Sequence, residues 1–257
     1  MADKVLVQSI SAIDTHSHIN TDTPFDNEES EAYNAHLEYL NEIRKAANIE
    51  KCFVSSFASV KDPASILKEN SRVAELCEQN DHLYRWVTVD PRIDATLEQA
   101  REMLGTKKCV GIKLHPPYHK YSIIDLGDKV FSLAADFGTR VLIHSETKAP
   151  HILPFADKYP DVSFIMAHLS GDADDHIGAV KNAIHQNVYT DVATVSSIKN
   201  RCVEYAVSQI GSERILFGTD TYAAGSIRGR IEYALISDQD KINILRNNAL
   251  RLFADKL

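Results

Sequence analysis

The chain has 257 residues, 44% of them hydrophobic and 25% charged, an ordinary globular composition with enough length to bury a large core without disulfide or metal staples. Lys+Arg 28 against Asp+Glu 36 gives −8 with histidine neutral, and no basic run interrupts that balance, which disfavours nucleic-acid binding. The N-terminus MADKVLVQSI lacks the roughly 7–15-residue apolar core of a signal peptide, no segment approaches the roughly 18 apolar residues of a membrane span, and Cys52, Cys77, Cys109 and Cys202 have no C-x-x-C spacing.

These features predict a cytoplasmic protein with neither a membrane nor a nucleic-acid partner. Taken in chain order, short apolar runs alternate with amphipathic stretches. VQSISAIDTH (7–16) precedes a predicted helix over 30–47, and KCFVSSF (51–57) precedes one over 63–79 that opens at the N-cap signal Asp62-Pro63. LYRWVTVD (83–90) leads into 96–104, with Asp94 as its cap signal, and CVGIKLH (109–115) into 128–137, closed by Gly138. RVLIHS (140–145), VSFIMAH (162–168), VYTDVA (188–193) and RILFGTD (214–220) lead in turn into 150–158, 174–185, 197–210 and 239–253. Several of the runs are continuously Val/Ile/Leu/Phe, as parallel strands buried on both faces are. Eight such units with right-handed crossovers close into a single (β/α)8 TIM barrel of about 250 residues; an open doubly wound sheet is the alternative. No linker divides the chain, so 1–257 is read as one domain.

The 11 histidines fall where a barrel builds its active site. In the first strand the period of two points Asp14, His16 and His18 to one side. The fifth strand ends in His144, the sixth in His168 and the eighth in Asp220, each directly after its apolar run, which is the C-terminal face of a barrel. Four imidazoles and a carboxylate at one mouth suit Zn²⁺ and also accept Mn²⁺ or Fe²⁺. The bland alternative is a set of hydrogen-bonded histidines in a polar barrel mouth.

Carried by IDTHSH (13–18), GIKLHP (111–116), LIHSE (142–146), MAHLSG (166–171), FGTD (217–220) and ILRNNALRLF (244–253), the chain resembles the amidohydrolase superfamily. Within it the likeness is to the amidohydrolase-related branch of aminocarboxymuconate-semialdehyde decarboxylase-like enzymes and lactone hydrolases. The resemblance implies one divalent metal held by His16, His18, His144 and Asp220, with His168 beside it. Related barrels with two metals carry a bridging carboxylated lysine or glutamate on the fourth strand, where this chain has Lys113. The branch usually holds one metal, so Lys113 and His115 are read as substrate-side groups, with a solvated lysine as the plain alternative. A homodimer is implied only by analogy.

The function expected is hydrolysis of a small lactone, amide or ester through metal-activated water, Asp220 moving the proton and His168 steadying the developing charge. Non-oxidative decarboxylation of an unsaturated or aromatic carboxylic acid uses the same constellation and is the alternative. A metal-dependent DNase and a non-catalytic metabolite-binding barrel rank below it. Three loops are expected to meet the small-molecule substrate, over 20–30, 116–121 and 221–230. Tyr118, His119 and Tyr121 are placed for contact with a ring or hydroxyl, although tyrosines also pack over barrel rims. Arg228 or Arg230 is placed to pair with a substrate carboxylate, unless they are solvated surface arginines.

Overall fold

Strand and helix alternate throughout the computed structural model, which describes residues 7–20, 37–144, 149–169, 173–194, 197, 199–221 and 223–257. The order is β1 (Ala12–Ile19), α1 (Leu37–Ala46), β2 (Ile49–Ser56), α2 (Phe57–Lys61), α3 (Ile66–Gln79), β3 (Leu83–Thr88), α4 (Asp94–Leu104), β4 (Cys109–Leu114), α5 (Pro116–His119), α6 (Ile123–Asp136) and β5 (Arg140–Ile143). It continues through α7 (Leu153–Lys158), β6 (Ser163–Met166), α8 (Ala173–Asn182), β7 (Val188–Asp191), α9 (Cys202–Ile210), β8 (Ile215–Leu216), α10 (Ala224–Glu232), α11 (Asp238–Ile242) and α12 (Asn248–Leu252), the last two joined by a π-helical stretch. Every strand pairs in parallel with its successor. Across the remaining seam Thr15 N donates to Phe217 O at 2.9 Å and Thr219 N to His16 O at 3.1 Å. The result is the expected (β/α)8 barrel, nearly closed.

Two apolar layers hold it. Inside, Ile13, Phe53, Trp86, Leu142, Ile165 and Leu216 stack upon Phe253, which reaches in from the C-terminal segment and meets the Phe53 ring at 4.8 Å. Outside, alternate strand residues such as Val54, Ile112, Val141, Phe164 and Phe217 pack against the helices. Strands with both faces buried explain the continuous apolar runs. Gly111 and Gly218 allow close approaches: a Cβ at Gly111 would lie 2.7 Å from the Trp86 ring, and one at Gly218 would lie 2.8 Å from the His16 Cβ.

β1 departs from the simple alternation. Asp14 pairs with Cys52 and Ser17 with Val54, so three steps on β1 oppose two on β2, which is a bulge. Cys52 and Val54 belong to the outer layer. Asp14 therefore turns outward while His16 and His18 point into the barrel, and the expectation that all three share one side is corrected: an extra residue inverts the parity of every later side chain. The carbonyl of Thr15 inside the bulge accepts from Trp86 Nε1 at 2.9 Å.

Other differences are local. Val7–Ser9 forms a 3-10 turn rather than strand, its neighbouring carbonyls taken by the Asn48 side chain. Of the helix predicted over 30–47, residues 30–36 lie outside the described residues, as do 21–30 of the first predicted loop. The 221–230 loop is mostly α10, which buries Ile227 and Ile231 one turn apart; Tyr222 is outside the described residues. The 116–121 loop holds the short α5, begun by two prolines whose fixed φ suits a first helical turn. Asp62 caps Ala64 N as expected, whereas Asp94 enters α4 without capping it. Among the described residues no helix is long and apolar enough to cross a membrane.

Candidate metal centre

The bulged end of β1 and the turn after β8 meet at the C-terminal mouth. Asp220 Oδ1 lies 3.1 Å from His18 Nε2 and 3.7 Å from His16 Nε2, and one ligand atom from each of the three residues falls within 4.8 Å of the others. Asp220 keeps 21% of its side chain accessible, whereas both histidines are buried. His144 does not join that cluster. Its Nδ1 sits 3.1 Å from His168 Nε2, and its ring stacks on His115 at 4.1 Å, which stacks on Tyr118 at 4.5 Å.

The outer partners set which nitrogen faces inward. Asp191, the last residue of β7, accepts from His16 Nδ1 at 2.9 Å, so the His16 lone pair resides on Nε2, towards Asp220. His18 Nδ1 meets Ser55 Oγ at 2.9 Å. The Ala193 carbonyl accepts from His168 Nδ1 at 3.2 Å. His168 Nε2 is then the acceptor for His144 Nδ1–H, and His144 keeps its Nε2 lone pair. Asp191 also accepts from His168 N at 2.8 Å, which helps hold His168 at a φ of 67°. Asp191 was not among the residues expected from sequence, although its place as the final carboxylate of VYTDVA matches that of the other strand-end groups.

Burial holds the imidazoles of His16, His18, His115 and His144 below the usual histidine range, His144 down to about 3. They are neutral donors at physiological pH, as metal ligation requires. At Asp220 burial works to raise the carboxyl, but the hydrogen bond from His18 opposes it and the group lies well below the usual carboxylate range. Lys113, 0% exposed on β4, donates to His16 Nε2 at 2.9 Å, and burial lowers its ammonium to about 8. Two neutral nitrogens and a carboxylate oxygen in reach of one point, with their outer atoms already engaged, fit a divalent cation such as Zn²⁺ or Mn²⁺.

The remaining residues expected at the site divide. His115 is buried beside His144, and Tyr118 is 54% exposed at the rim. His119 is buried behind that rim with Nε2 on Ser59 O at 3.0 Å. Arg228 is a correction. It is 4% exposed and donates to Asn48 O and Ile10 O at 2.8 Å each and to Glu232 at 2.7 Å. Those carbonyls precede β1 and β2, at the opposite end of the barrel from the mouth. Replacing Arg228 by Met is expected to cost about 2–4 kcal/mol, because buried acceptors and the Glu232 carboxylate lose their donor. Denaturant melts would show this; an unchanged midpoint with weakened substrate binding would return Arg228 to the site.

The sequence model of the family described as amidohydrolase matches residues 13–254. No curated protein matches the chain by sequence. Among solved structures the fold is similar to 2,6-dihydroxybenzoate decarboxylase from Rhizobium, at 16% identity over 95% of this chain and 98% of that one, with a TM-score of 0.75. It is also similar to 5-carboxyvanillate decarboxylase from Novosphingobium aromaticivorans, complexed with manganese and 4-hydroxy-3-methoxy-5-nitrobenzoic acid, at 16% identity over 96% and 97% and a TM-score of 0.73. A protein from Acinetobacter baumannii assigned as 2-pyrone-4,6-dicarboxylic acid hydrolase, with citric acid bound, matches at 15% identity over 95% and 100%, with a TM-score of 0.67.

Proposed function

Since the chain belongs to the amidohydrolase family, we propose that it is a metal-dependent hydrolase of a small lactone, amide or ester. One divalent cation would be held by His16 Nε2, His18 Nε2 and Asp220, with His144 Nε2 as the further donor. The observation that carries this is the ionised Asp220 carboxylate, partly open to solvent and 3.1 Å from His18 Nε2. When bound, the cation supplies Lewis acidity, polarising a carbonyl oxygen and making water nucleophilic near neutral pH. Asp220 takes the proton that the attacking water gives up and returns it to the leaving group. His16 is kept in its working tautomer by Asp191. His168 steadies negative charge developing on the attacked carbonyl. Lys113, His115 and Tyr118 line the substrate side, the buried ammonium offering a partner for a carboxylate.

The same ammonium favours a second reading, non-oxidative decarboxylation of an unsaturated or aromatic carboxylic acid. Lys113 would seat the acid and the site would protonate the carbon losing CO₂. Most of the structurally similar proteins carry decarboxylase names, and three of those structures hold manganese. A panel of lactones, small amides and unsaturated carboxylic acids, assayed with Zn²⁺ or Mn²⁺ and followed for acid and for CO₂, separates the two. Acid release is the expected result, together with a melting-temperature rise on adding the metal; at a hundredfold excess over Kd the gain is about 2.7 kcal/mol. CO₂ without acid moves the assignment to decarboxylation. No metal uptake and no thermal shift would leave a non-catalytic barrel.

A further inference from the structure

The seam between β8 and β1 runs through the candidate ligand set, with His16 and His18 on one side and Asp220 on the other. β8 is only two residues long, and the chain leaves it through two consecutive left-handed residues, Asp220 at φ 54° and Thr221 at φ 65°. Aspartate tolerates that region, but a β-branched residue there is crowded by its own Cβ substituents, and such strain persists only where the surroundings enforce it. Glycine or asparagine would satisfy the turn. What threonine adds is a hydroxyl, and here it is fully used: Oγ1 accepts from His18 N and donates to His18 O, both at 2.7 Å. Thr221 N donates to Thr219 Oγ1 at 3.0 Å, and Thr219 Oγ1 donates to Asp14 at 2.5 Å. Asp14, turned outward by the bulge, thus anchors the same clasp, and Asp220 N completes it on His16 O at 2.8 Å.

We propose that Thr221 is a positioning residue for the metal centre, its hydroxyl clasping β8 to β1 so that His18 and Asp220 stand at ligating distance before a cation arrives. The strained backbone is retained because a single hydroxyl oxygen accepts from His18 N and donates to His18 O at once, which glycine or an apolar side chain cannot do. This rests on the metal assignment above. Ligand-orienting groups of this kind change metal affinity by about 10–100-fold when removed.

Co²⁺ is the probe, because its visible spectrum reports ligand geometry independently of turnover. Thr221→Val keeps the branched shape and loses the hydroxyl; it should bind Co²⁺ at least about tenfold more weakly, with an altered spectrum. Thr221→Ser keeps the hydroxyl and should retain the wild-type spectrum and affinity to within about twofold. If the valine variant does not fold, Thr221→Gly removes hydroxyl and strain together and should show the same loss. Wild-type affinity and spectrum in the folded variant lacking the hydroxyl would overturn the proposal, as would a serine variant as impaired as valine. A wild-type protein that takes up no Co²⁺ refutes the metal assignment itself, and this inference with it.

Discussion

Asp220→Asn is expected to lower kcat by about a thousandfold or more, roughly 4 kcal/mol of barrier, in protein saturated with metal. The carboxylate is asked to do two things, to supply the negative ligand charge and to accept a proton, and the amide does neither at neutral pH. Asparagine is the informative replacement because it matches aspartate in size and tolerates positive φ, so the left-handed turn at φ 54° survives and the fold should remain within about 1 kcal/mol. Alanine at that φ would mix backbone strain with lost chemistry. Metal affinity should fall as well, which is why activity is compared at saturating metal and occupancy is measured separately. Substantial turnover by the fully loaded Asn variant would remove Asp220 as the proton acceptor.

Acidification of the metal-free protein is expected to unfold it well above the pH at which ordinary carboxylates titrate. Burial holds His16, His18, His115 and His144 below the usual histidine range, His144 down to about 3. For a histidine so lowered, the unfolded chain binds the proton between the unfolded value of 6.5 and the folded one, and the native state does not. Its contribution is intact above 6.5 and is lost as the pH falls below it, by about 1.4 kcal/mol per unit for each histidine. Two groups act in the opposite sense. Burial raises the Asp14 carboxyl to about 7 and raises that of Asp191 as well, so above 3.8 the native state holds extra protons there and gains as the pH falls; these two carboxyls stand against the four imidazoles together with His82 and His119, which burial also lowers. A net of about four such groups removes about 8 kcal/mol between pH 6.5 and 5, against a total stability of about 5–15 kcal/mol for a typical domain, so the apo protein is expected to unfold near pH 5 if its stability lies in the lower part of that range. Trp86, the only tryptophan and 1% exposed inside the barrel, reports the transition by fluorescence. Zn²⁺ or Mn²⁺ competes with protons for the same nitrogens and should move the midpoint to lower pH. A stability that stays level between pH 6.5 and 4.5 would show that these histidines are not buried in the neutral form.

Much of the barrel was legible beforehand because its signals are local. A strand buried on both faces must be apolar along its length, and the helix that follows must carry an apolar stripe; both patterns lie within about a dozen residues of chain. The mouth was legible for the same reason. A polar side chain placed after an apolar run marks a strand end, as at His144, His168 and Asp220, whereas His16 and His18 stand out by their alternation along the first strand. The helix at Ala224–Glu232 escaped because its amphipathic signal is short and interrupted by Gly225 and Gly229, which read more naturally as loop. Arg228 was misplaced with it: a cation following FGTD looked like a substrate partner, whereas α10 carries it to the carbonyls at the far end of the barrel.

What local pattern could not settle is parity and pairing. The bulge in β1 decides which of Asp14, His16 and His18 face inward, and it exists only in the register against β2. Asp191 and His16 are 175 positions apart, Thr221 and His18 203, Arg228 and Ile10 218. The eight units, their order and the positions of the imidazoles at the strand ends follow from hydrophobic period and strand length alone. The inward tautomer of His16, the threonine clasp beside Asp220 and the removal of Arg228 from the mouth appear only when the sheet closes, because each depends on hydrogen bonds between segments that approach one another at the barrel's seam or its far end.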